Sequence, residues 1–446
     1  MDERRGVIEV RCYNSLAEAA FLRSEMNAVN LASSRPDPFS TFEFLENFLR
    51  HDDSPAEGSA PAVWFVTAFV SNELVGYLGL KLVKHRTLGF PTATLSLLAT
   101  HDTDRPQLVA RSEYVKEVKE AIYAYLLSRR REWALLEFHQ QDDESSLFLP
   151  PNGLTLRGYY LREWPSMENC TIPIGWSSLQ EYFQAIPAKF RANVRRQLRH
   201  LIAYGRLELL GSSDSSVTPF LLELYRTIEP FSWKADAYAS IGRHPKRIEY
   251  FQGLLQASQP MRISIQVLLL DGTPIAGLIT GTFGGHLYAL QIVYDERFQR
   301  GAPGSAILLM GIRQAIESGC ASFNMLSGFG YYKVRWLARL TSTRVAQIYR
   351  VGGPLFWSRL FGDARRRLHW GRSPPIAQSF NPAHRKAHLA KMEGVDRDHH
   401  APRNDPVEQE RIAALIEKVR SGPCEFLSSE QLASAMPIRT GADQQS

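Results

Sequence analysis

The sequence is poor in cysteine. Only four of its 446 residues are cysteines (Cys12, Cys170, Cys320 and Cys424), and no two of them have CxxC or metal-ligand spacing. This spacing excludes a disulfide-stapled domain and a zinc module as the basis of the fold. Scattered single cysteines are typical of a reducing compartment, so we expect a cytoplasmic protein.

Long apolar runs are also missing. Stretches such as Ala62–Val70 and Ile263–Leu270 have the length of a strand, whereas a membrane-spanning helix needs roughly 20 apolar residues. The first residues, MDERRGVIEV, contain no apolar region after their basic pair, so we expect no secretory signal. The sequence predicts no transmembrane segment and leaves peripheral attachment to the inner membrane open.

Acidic residues are scarce in two segments. Residues 187–207 contain six Lys or Arg and no acid, and residues 359–391 contain eight against the single acid Asp363. The net charge of the whole chain is +6, so the remainder is mildly acidic. Two basic elements on such a body predict an anionic partner that binds at defined places.

The chain has ample material for packed cores, and one order of elements occurs twice. Hydrophobic residues make up 44% of the chain, which excludes a wholly disordered protein. Alternation and turn signals predict hairpins followed by a helix and a strand, first over residues 60–140 and again over residues 260–326. We therefore predict an α/β protein with mixed sheets that arose by a diverged duplication.

The junction between the last hairpin strand and the following helix forms a first candidate site. A basic loop with Arg300, Gly301 and Gly304 precedes a helix that Pro303 opens. A helix N-terminus attracts anions, and glycines let a phosphate approach the backbone. Taken alone, the segment equally describes an ordinary capped helix, and its spacing matches neither a Walker loop nor a dinucleotide fingerprint.

A glycine-rich turn after the next strand forms a second candidate site. The strand carries Asn324, and the turn leads to Tyr332 and Lys333. A tyrosine can protonate a leaving group, and a lysine can bind an anionic substrate or stabilise developing negative charge. The other interpretation is a surface lysine beside packed aromatic residues.

Two further features could bind a substrate. Arg191, Arg195 and Arg199 are spaced to form one stripe along a helix, and the absence of acids beside them favours phosphate binding over a solvated face. Trp233 could be a platform for a sugar or a base, or a core residue. The histidine pairs in the polar tail give no metal-ligand pattern, so we assign no metal site; they are His384 and His388, and His399 and His400.

Residues 180–350 resemble the acetyltransferase domain named for its BioF-like and CelD-type members, which act in cellulose and exopolysaccharide biosynthesis. The matching segments occur in the same order over about 170 residues, and they are KFRANVRRQLRHLIAYG, the Ser232-Trp233 pair, LLLDGTPIAGLITGTFGGHLYALQIVYDERFQRGAPGSAIL and FNMLSGFGYYKVRW. The N-terminal half is similar in layout to the first domain of that family.

The resemblance implies a tandem GNAT architecture related to the Fem-type peptidoglycan aminoacyltransferases. It divides the chain into an N-terminal GNAT-like domain (1–175), a C-terminal GNAT acetyltransferase domain (176–358) and a basic, partly disordered tail with one helix (359–446). The donor it implies is acetyl-CoA or another acyl-CoA, with no metal. The residues that would bind this donor are Ile292, Tyr294, Arg300, Gly301, Gly304, Ser305 and Ala306.

The catalytic positions that the resemblance implies are Asn324, Tyr332 and Lys333. Asn324 stands where the family usually has an aspartate, and an amide cannot act as a general base, so any base lies elsewhere or is a bound water. An amine or hydroxyl of the acceptor would attack the acyl carbonyl, and strand N–H groups near Ile292–Tyr294 would stabilise the oxyanion. Lys333 would orient an anionic substrate.

The function predicted from the sequence is acyl transfer from acyl-CoA to an amine of a sugar or cell-envelope polysaccharide precursor. The acceptor would be a small molecule such as a nucleotide-sugar, bound by Arg191, Arg195, Arg199 and Trp233. Two alternatives stay open. One is Fem-like transfer from aminoacyl-tRNA. The other is a non-catalytic GNAT-like protein that binds nucleic acid or an anionic membrane surface.

Overall fold

The computed structural model describes residues 7–51, 62–99, 102–142, 158–235, 240–256, 259–328, 331–369 and 405–436. These residues form two compact units. The first unit contains the described residues up to Asn169 and those from Thr341 to His369, and the second contains those in Cys170–Leu340 and 405–436. Each unit is built on one mixed sheet, so the predicted α/β class is confirmed.

The strands are β1 (Glu9–Tyr13), β2 (Ala62–Val70), β3 (Glu73–Thr87), β4 (Phe90–Leu97), β5 (Val109–Ala110), β6 (Leu135–Gln141), β7 (Tyr159–Pro165), β8 (Asn169–Pro173), β9 (Leu207–Ser212), β10 (Arg262–Leu270), β11 (Thr273–Phe283), β12 (His286–Tyr294), β13 (Ser322–Ser327), β14 (Arg339–Thr341), β15 (Arg344–Arg350) and β16 (Glu425–Leu427).

The α-helices are α1 (Leu16–Ala19), α2 (Arg23–Leu31), α3 (Phe42–His51), α4 (Val115–Ser128), α5 (Leu179–Ala185), α6 (Ala188–Tyr204), α7 (Thr218–Arg226), α8 (Pro245–Leu254), α9 (Pro303–Glu317), α10 (Tyr331–Arg335), α11 (Pro354–His369), α12 (Pro406–Arg420) and α13 (Ser429–Ala435).

The two sheets share one plan. The first has the order β1-β2-β3-β4-β6-β15-β7, with β5 beside β3, and the second has the order β14-β8-β13-β12-β11-β10-β9-β16. In each unit a series of antiparallel strands ends in a parallel pair, β4 with β6 and β12 with β13. The chain reaches these pairs through β2-β3-β4-α4-β6, with the short β5 between β4 and α4, and through β10-β11-β12-α9-β13. The predicted duplication of element order is thus confirmed.

Two-residue turns explain why the hairpins could be read from the sequence. Ser71 and Asn72 join β2 to β3 with φ values of 48° and 65°, and Asp271 and Gly272 join β10 to β11 with φ values of 47° and 75°. Such left-handed pairs match the right-handed twist of antiparallel strands, and Asn, Asp and Gly are the residues that adopt them most readily.

The domain boundaries in the structure differ from those that the resemblance implies. Strand β15 pairs with β6 and β7 of the first unit, although it follows the second unit in the chain. Strand β16 pairs with β9, Glu425 lying opposite Gly211, and thereby adds residues of the expected tail to the second sheet. In both cases it is the pairing with a distant strand that assigns the segment to its unit, β15 to the first and β16 to the second. Residues 370–404 and 437–446 of the expected tail lie outside the described residues.

The first unit contains a buried carboxylic acid at Asp37. It is 5% exposed, and its carboxylate accepts hydrogen bonds from the Phe39 N–H (3.0 Å) and from the Ser40 hydroxyl. Burial raises the pKa of Asp37 from 3.8 to about 6, although these hydrogen bonds act in the opposite direction. Asp37 therefore holds a proton in the folded protein at pH values where the unfolded chain has lost it.

We expect the pH dependence of stability to change in Asp37→Asn. In the wild type, the contribution of Asp37 makes the free energy of unfolding fall as pH rises from about 4 to about 6, by at most about 1.4 kcal/mol per pH unit. Asparagine imitates the protonated acid and cannot titrate, so this contribution to the slope disappears. Urea unfolding of both proteins from pH 4 to 7 measures this slope. If the free energies of unfolding of the two proteins change in parallel with pH, the pKa of Asp37 is not raised.

Candidate active site

Strands β12 and β13 separate at the centre of the second sheet. Their parallel pairing covers His286–Tyr288 of β12 and Ser322–Asn324 of β13. Beyond this point β12 continues to Tyr294 along β11, with an irregularity in register between Ala289 and Gln291. Where a strand leaves its neighbour, its backbone N–H and C=O groups on that side become available to a ligand. We call this place the β12–β13 wedge.

The loop after β12 is held by an ion pair. The Asp295 carboxylate is fully buried and accepts hydrogen bonds from the Arg297 N–H (3.0 Å), Nε (3.0 and 3.1 Å) and Nη2 (2.6 Å). The Arg297 guanidinium also lies 3.9 Å from the centroid of the Phe231 ring. Arg300, three residues later, is exposed. The wedge thus has a fixed loop on one side and an accessible positive charge next to it.

The two glycines of this loop pack closely against neighbouring elements. A Cβ at Gly301 would lie 3.1 Å from the Leu201 Cα atom, and a Cβ at Gly304 would lie 2.7 Å from Cδ1 of Tyr294. Sequence reasoning assigned these glycines to phosphate approach. The structure gives both of them a packing role: Gly301 lets the loop contact α6, and Gly304 lets α9 begin directly above the Tyr294 ring.

Two backbone N–H groups in the first turn of α9 already donate hydrogen bonds within the protein. Ala302, at φ 47°, precedes the helix, and its carbonyl accepts hydrogen bonds from the N–H groups of Ser305 (2.8 Å) and Ala306 (3.2 Å). Ala306 is buried, whereas Ser305 is half-buried. Gly304, which precedes Ser305 in the chain, packs against the Tyr294 ring at the end of β12, and Ile292 lies on the same strand.

Asn324 and Lys333 hold the end of β13. The Asn324 Oδ1 atom accepts a hydrogen bond from the Leu326 N–H (2.9 Å), and Leu326 has a φ of 57°. The Lys333 ammonium is buried and donates to the carbonyls of Met325 (2.9 Å), Leu326 (3.3 Å) and Ser327 (3.4 Å). These contacts bind α10 to the end of β13, and the substrate-orienting role expected of Lys333 stays a prediction.

The predicted proton donor Tyr332 is on α10. Its backbone belongs to that helix, but its side chain lies outside the described residues. The histidines of the polar tail lie outside the described residues, which do not include 370–404.

Lys234 is a buried cation beside the wedge that sequence reasoning missed. It is 2% exposed, and its Nζ atom donates to the Tyr225 hydroxyl (3.3 Å) and to the side-chain oxygen of Gln291. Gln291 lies on the part of β12 beyond its pairing with β13. Trp233 is half-buried, and its ring centroid lies 5.5 Å from the Lys234 ammonium. The only signal in the sequence was a lysine directly after Trp233.

The predicted arginine stripe borders a groove between α5 and α6. The groove has a volume of about 500 Å³, and its lining residues are Gln180, Gln184, Arg191 and Arg195. Arg191 donates to the Gln184 carbonyl at the end of α5, and the Arg195 guanidinium lies 5.4 Å from the centroid of the Phe183 ring. Arg199 is exposed one turn farther along α6 and is not among the lining residues.

The described part of the chain holds no group of three or more His, Cys, Asp or Glu side chains placed to bind a metal ion. None of its described helices is long and apolar enough to cross a bilayer.

Comparison with known proteins identifies the domain that contains the wedge. Residues 188–334 match the model of the acetyltransferase (GNAT) domain. No curated protein matches the chain. The crystal structure of FemX is similar with a TM-score of 0.52 and 13% identity, and the match covers 78% of this chain and 99% of that one.

Two further solved structures are similar to the chain at lower scores. One is a conserved protein of unknown function from Bacteroides thetaiotaomicron, with a TM-score of 0.49, 11% identity and coverage of 76% of this chain and 100% of that one. The other is a tandem GNAT protein from the clavulanic acid biosynthesis pathway, with a TM-score of 0.44, 12% identity and coverage of 77% and 99%. The family match over residues 188–334 indicates a GNAT acetyltransferase domain there and supports an acyltransferase activity for the chain.

Proposed function

We propose that the protein transfers an acyl group from acyl-CoA to an amine of a sugar or cell-envelope polysaccharide precursor, as a cytoplasmic enzyme of the BioF-like and CelD-type group. The observation that carries the proposal is the β12–β13 wedge, which leads to the N-terminus of α9 inside the matched GNAT domain. GNAT domains use acyl-CoA donors, and the thioester supplies the activated carbonyl.

The residues around the wedge fit such a donor. Arg300 is exposed beside the start of α9 and can pair with a phosphate, and the helix N-terminus adds positive potential there. The Ser305 hydroxyl is half-buried in the first helical turn. Backbone N–H groups of Ile292–Tyr294 are the donors that we assign to the oxyanion. Tyr332 remains our candidate for protonating the leaving thiolate.

The acceptor side of the proposal uses the features next to these strands. Lys234 contacts Gln291 of β12, and the Trp233 ring lies next to Lys234, so we assign this pair to the acceptor side of the wedge. Arg191 and Arg195 border the groove between α5 and α6, where a phosphate of a nucleotide-sugar could pair with them. Arg199 would extend this positive surface along α6.

A second candidate is Fem-like transfer from aminoacyl-tRNA. The stripe formed by Arg191, Arg195 and Arg199 favours it, because residues 187–207 contain no acid that would repel a nucleic-acid backbone. The fold similarity to FemX is compatible with both donors. A non-catalytic protein that binds nucleic acid or an anionic membrane is the remaining alternative, and it predicts salt-sensitive binding without acyl transfer.

Acetyl-CoA and a panel of short acyl-CoAs are expected to raise the unfolding temperature of the full chain. A ligand at 100 times its Kd stabilises the native state by about 2.7 kcal/mol, which is readily detected. In Arg300→Glu the shift should fall sharply, because a repulsive charge then stands beside the donor phosphates. The matched control is Arg262→Glu, which changes an exposed arginine at the start of β10, the end of the sheet away from the wedge.

Each alternative gives a different result in this assay. If no acyl-CoA shifts the unfolding temperature, the proposed donor is wrong. If tRNA competes with the acyl-CoA shift, the two ligands share a site and the Fem-like donor gains support. Binding of tRNA that weakens steeply with salt, with no response to acyl-CoA and no transfer to any amine, would favour the non-catalytic alternative.

A further inference from the structure

Helix α11 of the first unit exposes its largest apolar side chains. Trp357 is 44% exposed, Leu360 is 42% exposed and Phe361 is 64% exposed. Their i, i+3, i+4 spacing places them on one face of the helix. We call these three residues the α11 face. In an ordinary surface helix such a stripe would be the one that is packed against the core.

Two charged residues of α11, Arg359 and Asp363, are less exposed than the α11 face. Arg359 and Asp363 form an ion pair at 3.1 Å, and Asp363 also lies 3.8 Å from Arg162 of β7. These three side chains are each about one quarter exposed. These ion pairs link α11 to β7 of the sheet.

Aromatic contacts extend the α11 face onto the sheet. The Trp357 and Phe361 rings lie 6.1 Å apart, and Phe356 lies 5.1 Å from Trp357. Phe356 in turn packs edge-on against Tyr160 of β7 at 5.9 Å, and Tyr160 is 41% exposed. Phe356 thus packs against both Trp357 and Tyr160, and it connects the exposed aromatic side chains of α11 to strand β7.

Positive charge adjoins this apolar surface in the sequence. The last two turns of α11 contain Arg365, Arg366 and Arg367, and residues 359–391 contain eight Lys or Arg against one acid. Trp, Phe and Leu on one face of a helix, combined with Arg and Lys, are the composition of helices that lie in a membrane interface. Each basic residue near an anionic bilayer adds to the attraction, and tryptophan is enriched at the headgroup level.

We propose that the α11 face docks on the surface of an anionic lipid bilayer, with Trp357, Leu360 and Phe361 entering the interface and the basic run that follows them in the sequence adding attraction to the headgroups. Charge complementarity selects this occupant, because an apolar protein groove would not require the arginine run and a nucleic acid would not require Leu360 and Phe361. The proposal does not depend on the acyl donor, since α11 belongs to the first unit.

The test is flotation of the full chain with vesicles. We expect binding to vesicles of phosphatidylcholine with about one third phosphatidylglycerol, and little binding to pure phosphatidylcholine. The variant Trp357→Ser/Phe361→Ser should bind the anionic vesicles at least about tenfold more weakly than the wild type. The matched control Phe21→Ser/Val407→Ser removes two exposed apolar side chains elsewhere and should bind like the wild type.

Further measurements separate this proposal from other occupants of the face. Both double variants should keep the wild-type unfolding temperature and the response to acyl-CoA, because the altered side chains are exposed. Equal flotation of wild type and Trp357→Ser/Phe361→Ser, or no flotation at all, would overturn the proposal. A wild-type dimer that becomes monomeric in Trp357→Ser/Phe361→Ser and ignores vesicles would assign the face to a second copy, and loss of tRNA binding in that variant without vesicle binding would assign it to RNA.

Discussion

Replacing Lys333 by methionine is expected to lower the free energy of unfolding by about 1.5 to 3 kcal/mol, which is the range for hydrogen bonds made by a charged group. The Lys333 ammonium donates to the carbonyls of Met325, Leu326 and Ser327 at the end of β13. Methionine keeps the apolar stem but cannot donate, so these three acceptors lose this shared hydrogen-bond donor inside the protein.

Urea unfolding measures the change. Arg339→Met is the matched control, because Arg339 is an exposed basic residue at the start of β14, six residues after Lys333. The two variants separate a structural role for Lys333 from the substrate-binding role expected from the sequence. If Lys333→Met unfolds like the wild type but has lost acyl transfer, the sequence-based role is right and the structural role is wrong.

Local patterns explain what could be predicted from the sequence. Strands β10, β11 and β12 are apolar segments separated by two-residue turns with glycine or aspartate, and α9 begins at a proline. Each of these signals acts over a few residues, so the chain order of the second unit and the candidate site at the start of α9 followed from them. The resemblance then supplied the expectation of which strand end carries the chemistry.

Contacts between distant segments explain what could not be predicted. The pairing of β15 with β6 and β7, and of β16 with β9, joins residues that are far apart in the chain, so no local pattern contains it. The same holds for the glycines of the loop, because the close approach of Leu201 to Gly301 and of Tyr294 to Gly304 depends on the packing of α6 and β12.

Lys234 shows the limit of composition as a guide to a site. Its sequence neighbours are apolar or aromatic, and nothing in the segment PFSWKA separates a core anchor from a functional cation. In the structure its ammonium contacts Tyr225 and Gln291, and the Tyr225 ring in turn packs on Gly277 of β11, where a Cβ would lie 2.6 Å from the Tyr225 Cδ2 atom. The lysine thus connects the core to the open part of β12.

We expect Lys234→Met to lower kcat/KM for acyl transfer by about 100-fold, the scale of losing one preorganised donor at a reacting centre. The reason is that Lys234 donates to Gln291 on β12 and places a buried positive charge beside the wedge. Assays use the amine acceptor that the full-length enzyme acylates best. The exposed Lys246, changed to methionine, is the matched control.

Separate values of kcat and KM, together with the acyl-CoA shift in unfolding temperature, distinguish a role of Lys234 in the transfer step from a structural role. If the lysine acts at the reacting centre, the acyl-CoA shift in unfolding temperature stays at its wild-type size in Lys234→Met, while kcat falls. Lys234→Arg should then recover part of kcat, because it restores a buried cation that can donate to Gln291. A variant that loses the acyl-CoA response and stability in parallel would instead make Lys234 a structural residue of the second unit, with no part of its own in the transfer step.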